Sequence, residues 1–303
     1  MIDLTPWGDM STENMEEANI CVLGVPFDGA VSCGKGTALA PERIRMLSRY
    51  LPPITETGII LDNVKVYDQG DVAISLDWEK YYHEVEEEAL KLLNTGRFCL
   101  FLGGDHSVTI PLHRAFGRYQ KKLAEQQGKE RKVGVIHFDA HCDLCDIYDG
   151  HKWSHACTER RSLEAGVMRP QDLMFLGIRS WEADELEFLA ENPEIIVLKA
   201  YDVFKIGYLE AYRKIEQRFK DYNAVYFTLD IDVLDPAFAP GTGTPEAGGI
   251  SNRELMELVK LMLGNLPIKT MDIVEVSPAL DISDITSWAA LKVIYEVYGC
   301  LNR

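Results

Sequence analysis

Residues 133–143 read VGVIHFDAHCD and join an apolar run directly to a cluster of carboxylates and imidazoles. A continuous apolar run predicts a strand that is buried on both faces, as in a parallel sheet. Side chains two positions apart point to the same side of an extended chain, so Asp139, His141 and Asp143 are expected on one side. This segment therefore predicts a central strand with polar ligands at its carboxyl end.

Further apolar runs predict strands of the same type, at 20–25, 98–102, 173–178, 224–229 and 271–276. Amphipathic stretches predict helices at 80–93, 252–263 and 288–297. The polar stretch 121–132 is expected to end a surface helix. Strands that alternate with helices predict an α/β fold, a three-layer helix–sheet–helix sandwich with a mostly parallel central sheet. Because no repeat or low-complexity linker interrupts the pattern, we expect one domain over residues 1–303.

The composition disfavours several classes of partner. The chain has 48 acidic and 31 basic residues, and a net charge of −17 argues against nucleic acid and anionic membranes. No apolar run approaches the roughly 20 residues of a membrane span. The N-terminus lacks the basic-then-apolar profile of a signal peptide. Seven cysteines without a disulfide spacing then favour a cytoplasmic protein with reduced thiols.

Polar motifs follow three other predicted strands as well. GGDHS occupies 103–107, Asp230-Ile231-Asp232 follows the run 224–229, and Glu275 lies near the end of 271–276. In open parallel sheets, ligands bind at the carboxyl ends of the strands. These clusters can therefore converge on one crevice, although sequence order alone does not fix the order of the strands.

The charge of the converging side chains predicts a site for two cations. The candidate ligands are His106, Asp139, His141, Asp143, Asp230 and Asp232. Four of them are carboxylates with a total charge of −4. Two divalent cations balance this charge, whereas a single divalent cation would leave half of it uncompensated. Carboxylates and imidazoles suit manganese-like ions, whereas thiolate-rich sets suit zinc or iron–sulfur clusters.

Other polar residues near the motifs have simpler interpretations. Cys142 and Cys145 resemble half of a structural zinc site, but no second Cys/His pair completes it. His137 lies deeper in the predicted strand and is expected to support the ligands or to pack in the core. Asp235 precedes Pro236, a combination typical of a turn.

Three segments resemble the signature motifs of the ureohydrolase superfamily, which contains arginases, agmatinases, guanidinobutyrases and formimidoylglutamases. They are GGDHS at 103–107, HFDAHCD at 137–143 and DIDVLDP at 230–236. The similarity extends to GVPFDG at 24–29, GTGTPE at 241–246 and DIVEV at 272–276. The resemblance therefore covers nearly the whole chain.

The resemblance implies an arginase-like fold, a homo-oligomer (trimer or hexamer) and two Mn²⁺ per subunit. One ion would bind His106, Asp139, Asp143 and Asp230, and the other would bind His141, Asp139, Asp230 and Asp232. Hydrolysis of a small guanidino substrate to urea and an amine is the implied activity. Glu275 would bind the guanidinium, Asp143 would relay a proton, and His155 would shuttle protons.

The segment 144–153 is expected to select the substrate. It contains no Asn or Ser, unlike the corresponding segment of arginases, and it resembles the agmatinase branch. Asp146 and Asp149 could bind the distal ammonium of agmatine, which would be cleaved to putrescine. The basic side chains that could bind a substrate carboxylate are those of Lys152, Arg160 and Arg161. Guanidinobutyrate and formimidoylglutamate, which carry such a carboxylate, therefore remain alternatives.

Two features bear on the remaining alternatives. The turn 33–41 lacks the Arg that is frequent in agmatinase-like chains, so specificity could differ if that turn contacts the substrate or a neighbouring subunit. An inactive metal-binding subunit with a regulatory or assembly role is disfavoured, because all six candidate ligands, Glu275 and His155 are present. A single-zinc deacetylase is disfavoured because His106 and Asp143 would complete a second metal site.

Overall fold

The structure is a computed structural model that describes residues 5–302. Within that range, eight strands form one sheet in which every neighbouring pair is parallel. The strands are β1 (Ile20–Gly24), β2 (Val66–Asp71), β3 (Phe98–Leu102), β4 (Val133–Phe138), β5 (Leu173–Ile178), β6 (Ile196–Lys199), β7 (Ala224–Asp230) and β8 (Ile268–Val274). Their order in the sheet is β2-β1-β3-β8-β7-β4-β5-β6.

Nine α-helices within residues 5–302 accompany the sheet. They are α1 (Ala40–Ser48), α2 (Trp78–Leu93), α3 (Thr109–Gln127), α4 (Thr158–Glu164), α5 (Ala183–Glu191), α6 (Ala200–Ile206), α7 (Tyr208–Phe219), α8 (Asn252–Asn265) and α9 (Ile285–Leu301). Helices α2 and α3 pack together on one face, and α1, α7, α8 and α9 pack on the other. In the part of the chain that the structure describes, no helix combines the length and apolarity needed to cross a bilayer.

The central strands are buried because helices cover both of their faces. In β1, Ile20 and Val22 belong to the core shared with α1, α8 and α9, whereas Cys21 and Leu23 belong to the core shared with α2 and α3. This arrangement explains the continuous apolar runs of the sequence. The predicted three-layer sandwich is confirmed, whereas the single domain over 1–303 stays a prediction.

The strands that the sequence analysis missed lie at the two edges of the sheet. Strand β2 reads VYDQGD and β6 reads IVLK, and most residues of both are partly exposed. An edge strand is not enclosed by neighbours, so it needs no continuous apolar run. The predicted helices extend a few residues further than expected, and α3 ends at Gln127 within the polar stretch, before Gly128 in the left-handed region (φ 60°).

The register of the sheet brings the polar motifs to one edge. Phe138 of β4 pairs with Leu229 of β7, so the next residues of the two strands, Asp139 and Asp230, lie beside each other. Asp230 in turn pairs with Val274 of β8, which immediately precedes Glu275. Strand β3, which leads into the GGDHS motif, lies on the other side of β8. The four central strands therefore deliver all the predicted polar clusters to adjacent positions.

Arg179, which follows β5, connects the loops at this edge. Its guanidinium donates hydrogen bonds to five backbone carbonyls, and the shortest reach Asp232 and Glu246 at 2.6 Å. The other acceptors are Gly177, Val233 and Leu234. A planar fork of five N–H donors suits such a task better than an ammonium group. Arg179 thus fixes the loop after β7 against the end of β5.

We predict that Arg179→Met lowers the free energy of unfolding by about 2–4 kcal/mol, because several charge-assisted hydrogen bonds disappear together. Urea denaturation followed by circular dichroism measures the change. The control is Arg213→Met, which removes an exposed ion pair to Glu210 (2.9 Å) and is expected to change stability by less than about 0.5 kcal/mol. Equal destabilisation by the two variants would contradict the role given to Arg179.

Candidate metal centre

The first group of candidate ligands surrounds the side chain of His106. Its Nδ1 atom lies 3.0 Å from Asp139 Oδ2, 3.1 Å from Asp143 Oδ2 and 3.2 Å from Asp230 Oδ2. All four side chains are buried. The structure therefore brings together, at the ends of β3, β4 and β7, the residues that the resemblance assigned to one ion.

The turn that presents His106 requires a glycine and an aspartate before it. A Cβ atom at Gly104 would lie 1.8 Å from the carbonyl oxygen of Phe27, so no side chain fits there. Asp105 donates its backbone N–H to the same carbonyl at 2.8 Å. The Oδ1 atom of Asp105 also accepts a hydrogen bond from the backbone N–H of Ser107 at 3.1 Å. These contacts fix the position of the His106 backbone.

Two buried atoms of this group lack a hydrogen-bond partner among residues 5–302, namely His106 Nδ1 and Asp143 Oδ2. An unsatisfied buried polar atom costs about 1–3 kcal/mol, and more if it is charged. Ligand atoms that share one cation at about 2.0–2.2 Å approach each other to about 3 Å without hydrogen bonds between them. The separations of 3.0–3.2 Å around Nδ1 fit that arrangement.

The second group consists of Asp139, His141 and Asp232, whose ligand atoms lie within 4.8 Å of one another. His141 Nδ1 is 3.3 Å from Asp139 Oδ1 and 3.2 Å from Asp232 Oδ2. Asp139 thus turns one oxygen to each group, so its carboxylate can bridge two ions. The two groups together can hold the pair of divalent cations that the charge of the sequence predicts.

The carboxylates of the site strongly affect each other. Burial and the carboxylates of Asp232 and Asp139 raise the pKa of Asp230 well above its ordinary value. Burial and Asp139 likewise raise the pKa of Asp232. For Asp139, burial raises the pKa, but three neighbouring imidazoles lower it well below the ordinary value. Cations placed between the carboxylates remove this repulsion.

Three of the functional candidates, Asp143, Asp149 and Glu275, have left-handed backbones that favour glycine, and two of them lie at the metal centre. Asp143 has a φ of 54° and Glu275 has a φ of 61°. Such conformations cost of order 1–3 kcal/mol for a residue with a side chain, and they cluster at functional sites. The surrounding backbone stabilises both, since Asp143 accepts hydrogen bonds from Glu159 N–H and Arg160 N–H, and Glu275 donates to Gly104.

His137 supports the ligands, in agreement with the interpretation from the sequence. Its Nε2 lies 2.8 Å from Asp139 Oδ2 and its Nδ1 lies 2.8 Å from Glu159 Oε1. Burial lowers the pKa of His137, but the two carboxylates raise it to about 9. The Nε2 atom of His106 is held in the same way by Thr228 Oγ1, at 2.9 Å. Glu159 and Thr228 were not predicted, because they lie inside α4 and β7 and belong to no motif.

The structure places Glu275 and His155 side by side next to the metal ligands. Glu275 Oε1 accepts a hydrogen bond from the backbone N–H of His106 at 2.8 Å and lies 3.6 Å from His155 Nδ1. The Oε2 atom has no hydrogen bond from the described residues. Glu275 therefore keeps one oxygen available for a ligand.

A cavity of about 60 Å³ opens onto His155 and onto candidate ligands of both groups, whereas Glu275 lies behind His155 and does not line it. Its lining comprises Ser32, His141, Asp143, Tyr148, His155, Ala156, Ser180, Trp181, Glu182, Glu185, Asp230 and Thr244. Glu185 is buried, and burial raises its pKa to about 7. Glu182 is exposed at the mouth of the cavity. Both glutamates follow β5, so the strand-end rule applied to residues 173–178 would have found them.

Of the two acids proposed to bind the far end of the substrate, neither lines this cavity. Asp146 pairs with Arg161 at 2.7 Å and lies 3.8 Å from Lys152. Asp149 is exposed and borders a neighbouring groove. A role for either acid in substrate binding stays a prediction.

The basic residues that were predicted as alternatives for binding a substrate carboxylate contact other side chains. Arg160 lies over the ring of Phe188 at 4.1 Å and 3.3 Å from Glu164. Arg161 and Lys152 make the contacts with Asp146 described above. No Lys or Arg of the described residues lines the cavity.

Comparison with known proteins gives relatives across nearly the whole chain. An agmatinase of Neisseria meningitidis serogroup C is 37% identical over 92% of this chain and 86% of its own length. An agmatinase of Bacillus anthracis is 34% identical over 95% of this chain and 93% of its own. A guanidinopropionase of Pseudomonas aeruginosa is 33% identical, covering 91% and 84% of the two chains.

Solved structures share the fold. A hypothetical agmatinase from Burkholderia thailandensis has a TM-score of 0.85 at 32% identity, with 99% of this chain and 90% of that chain covered. A formimidoylglutamase from Bacillus subtilis has a TM-score of 0.87 at 26% identity, with 99% and 92% covered. The model of the arginase family matches residues 18–300. By sequence, fold and the arrangement of its polar residues, this chain belongs to the arginase family.

Proposed function

We propose that this protein is a dimanganese amidinohydrolase that cleaves agmatine to urea and putrescine. The observation that carries the choice of substrate is the lining of the cavity. Beyond the candidate metal ligands it contributes Glu182 and Glu185, and no described Lys or Arg. A substrate whose far end is cationic meets charges of the opposite sign there, whereas a carboxylate would meet like charges. Relatives named agmatinase agree with this choice.

Glu275, which lies beside His155 of the cavity lining, provides a site for a guanidinium. Glu275 Oε2, which has no hydrogen bond from the described residues, would accept N–H groups of the substrate. Its other oxygen is held by His106 N–H at 2.8 Å, so the carboxylate is already oriented. Pre-orientation of this kind reduces the entropy lost on binding.

Proton transfer falls to two residues beside that carboxylate. Asp143 lines the cavity and, as the family resemblance implies, would relay a proton there. His155 Nδ1 faces Glu275 Oε1 at 3.6 Å and can protonate the leaving nitrogen. Burial lowers the pKa of His155, but Glu275 raises it to about 9, which favours the protonated form at neutral pH.

The metal centre completes the proposal. His106, Asp139, Asp143 and Asp230 would hold one Mn²⁺, and His141, Asp139, Asp230 and Asp232 would hold the other. When bound, the two cations supply the Lewis acidity that makes hydroxide available near neutral pH. Carboxylate and imidazole ligands suit manganese. A trimeric or hexameric assembly remains our prediction from the family resemblance, and a cytoplasmic location remains our prediction from the cysteines and the N-terminal sequence.

A substrate panel tests the proposed function. The protein loaded with Mn²⁺ is given agmatine, arginine, guanidinobutyrate and guanidinopropionate with urea as the readout, and formimidoylglutamate with formamide or ammonia as the readout. We expect kcat/KM for agmatine to exceed that of every carboxylate-bearing compound by at least about tenfold, since charges of like sign oppose their binding. A preference for a carboxylate-bearing compound would overturn the choice of agmatine, and no hydrolysis of any compound would overturn the activity.

For Asp232→Ala, we predict the loss of one equivalent of bound metal and of most turnover, because the second ion would lose the one carboxylate that it does not share with the first. Elemental analysis after dialysis measures the metal content. The matched control is Asp235→Ala, since the Asp235 carboxylate only accepts hydrogen bonds from Ala237 N–H and Gly248 N–H in a turn. Retention of both ions by Asp232→Ala would refute the ligand assignment.

Glu275→Gln should keep both metals but lose the charge that pairs with the guanidinium. We expect kcat/KM for agmatine to fall by about 100-fold or more, in line with the loss of a charged, desolvated contact. Initial rates of urea release and metal analysis of the same preparation measure the two properties. A normal kcat/KM in Glu275→Gln would show that another group binds the guanidinium.

Glu182→Lys reverses the charge at the mouth of the cavity. We expect kcat/KM to fall by about 10- to 100-fold for agmatine and to rise for guanidinobutyrate, because the sign of the interaction with the far end of the substrate inverts. The control is Glu187→Lys, which makes the same charge change at an exposed position of α5 outside the cavity. If both variants have the same effect, the selectivity comes from the overall charge and not from Glu182.

A further inference from the structure

The turn that precedes α1 contacts the imidazole of His155. The backbone N–H of Ser32 donates to His155 Nε2 at 3.3 Å, and the Ser32 hydroxyl lies 3.1 Å from the same nitrogen. On the opposite side of the ring, Nδ1 lies 3.6 Å from Glu275 Oε1. Both nitrogens of His155 therefore have a defined partner.

The contact with the backbone determines which nitrogen of the neutral ring carries the proton. An amide N–H can only donate, so Nε2 must accept, and the proton of neutral His155 then resides on Nδ1. The Nδ1–H group points toward Glu275, the residue proposed to bind the guanidinium. Ser32 thus selects the tautomer in which the N–H of His155 faces the substrate.

The turn is itself anchored to the metal centre. The Oδ2 atom of buried Asp105 accepts a hydrogen bond from Ala30 N–H at 2.9 Å. Asp28 Oδ2 closes the other end by accepting from Gly36 N–H at 3.1 Å. Ser32 lies between these two anchors, yet its side chain is exposed. The residue before His106 therefore fixes the turn whose Ser32 orients His155.

We infer that Ser32 is a positioning residue for His155. Its backbone N–H orients the neutral imidazole, and its hydroxyl connects Nε2 with solvent water. A hydroxyl can donate to the lone pair of neutral Nε2 and can accept from Nε2–H when the ring is protonated. Nε2 therefore keeps a hydrogen-bond partner in Ser32 in both protonation states of the ring while Nδ1 faces the substrate. This role rests on the proposed function, in which His155 transfers a proton.

Other groups also act on the ring and enter the interpretation of any pH profile. The acids that face His155 are Glu275, Asp143 and Asp105, after β8, β4 and β3 respectively. The ring of Tyr148 packs edge-on against it with 6.1 Å between centroids. Ser32 is neutral, so replacing it leaves the charge around His155 unchanged. An altered pH profile then reports the lost hydroxyl.

The test compares Ser32→Ala with Ser32→Thr in the Mn²⁺-loaded enzyme. For Ser32→Ala we expect kcat for agmatine to fall by about tenfold, within the range of general acid–base effects, with KM changed by less than about twofold. The pKa that limits kcat on the alkaline side should fall, because protonated His155 loses the acceptor at Nε2. Ser32→Thr keeps the hydroxyl and should restore most of kcat.

Two controls separate this role from a structural one. Cys33→Ala alters the exposed neighbour of Ser32 and should leave kcat and the pH profile unchanged. In a His155→Asn background, Ser32→Ala should have no further effect on kcat, since residues that act together are not additive. An equal loss in both backgrounds, or an unchanged pH profile in Ser32→Ala, would overturn the inference.

A second measurement distinguishes failure of the role inferred for Ser32 from failure of the proposed function. Imidazole ¹⁵N chemical shifts of His155, recorded with a diamagnetic divalent cation bound, report which ring nitrogen carries the proton. We expect the Nδ1–H tautomer in the neutral ring, whether or not agmatine is hydrolysed. Observation of the Nε2–H tautomer would overturn the role of Ser32 even if the enzyme is an active agmatinase.

Discussion

The site depends on the repulsion between four buried aspartates at the ends of two neighbouring strands. Strands β4 and β7 pair so that Asp139 emerges beside Asp230, and neither side chain can move away into solvent. Buried charges are stable only when paired, hydrogen-bonded or bound to metal. The protein supplies part of the compensation through His106 and His137, and two divalent cations would supply the rest.

The surrounding structure maintains this arrangement against its own repulsion. Arg179 fixes the loop after β7, Glu159 holds His137, and the backbone before His106 packs directly against Phe27. The left-handed backbone of Asp143 would relax in a looser setting. Residues far from the substrate therefore contribute to the metal centre by keeping its ligands within about 3 Å of one another.

Much of the cavity lining lies outside this rigid layer, in loops that several strands contribute. The turn around Ser32 follows β1, the segment with Tyr148 and His155 follows β4, and Glu182 follows β5. Loops tolerate substitution better than the strands that carry them, so relatives can change the far end of the substrate while keeping the metal site. A guanidinopropionase and a formimidoylglutamase among the similar proteins agree with this division.

The central strands and the candidate ligands follow from the sequence alone. Continuous apolar runs require burial on both faces, and the carboxylates that end them require cations, whatever the strand order. Only the tertiary structure places β4, β7, β8 and β3 side by side, because strand order depends on packing between distant elements. The edge strands β2 and β6 escaped prediction because half-exposed strands need no apolar run. Ser32 and Glu159 carry no motif, and their positions beside the site exist only once distant segments of the chain pack together.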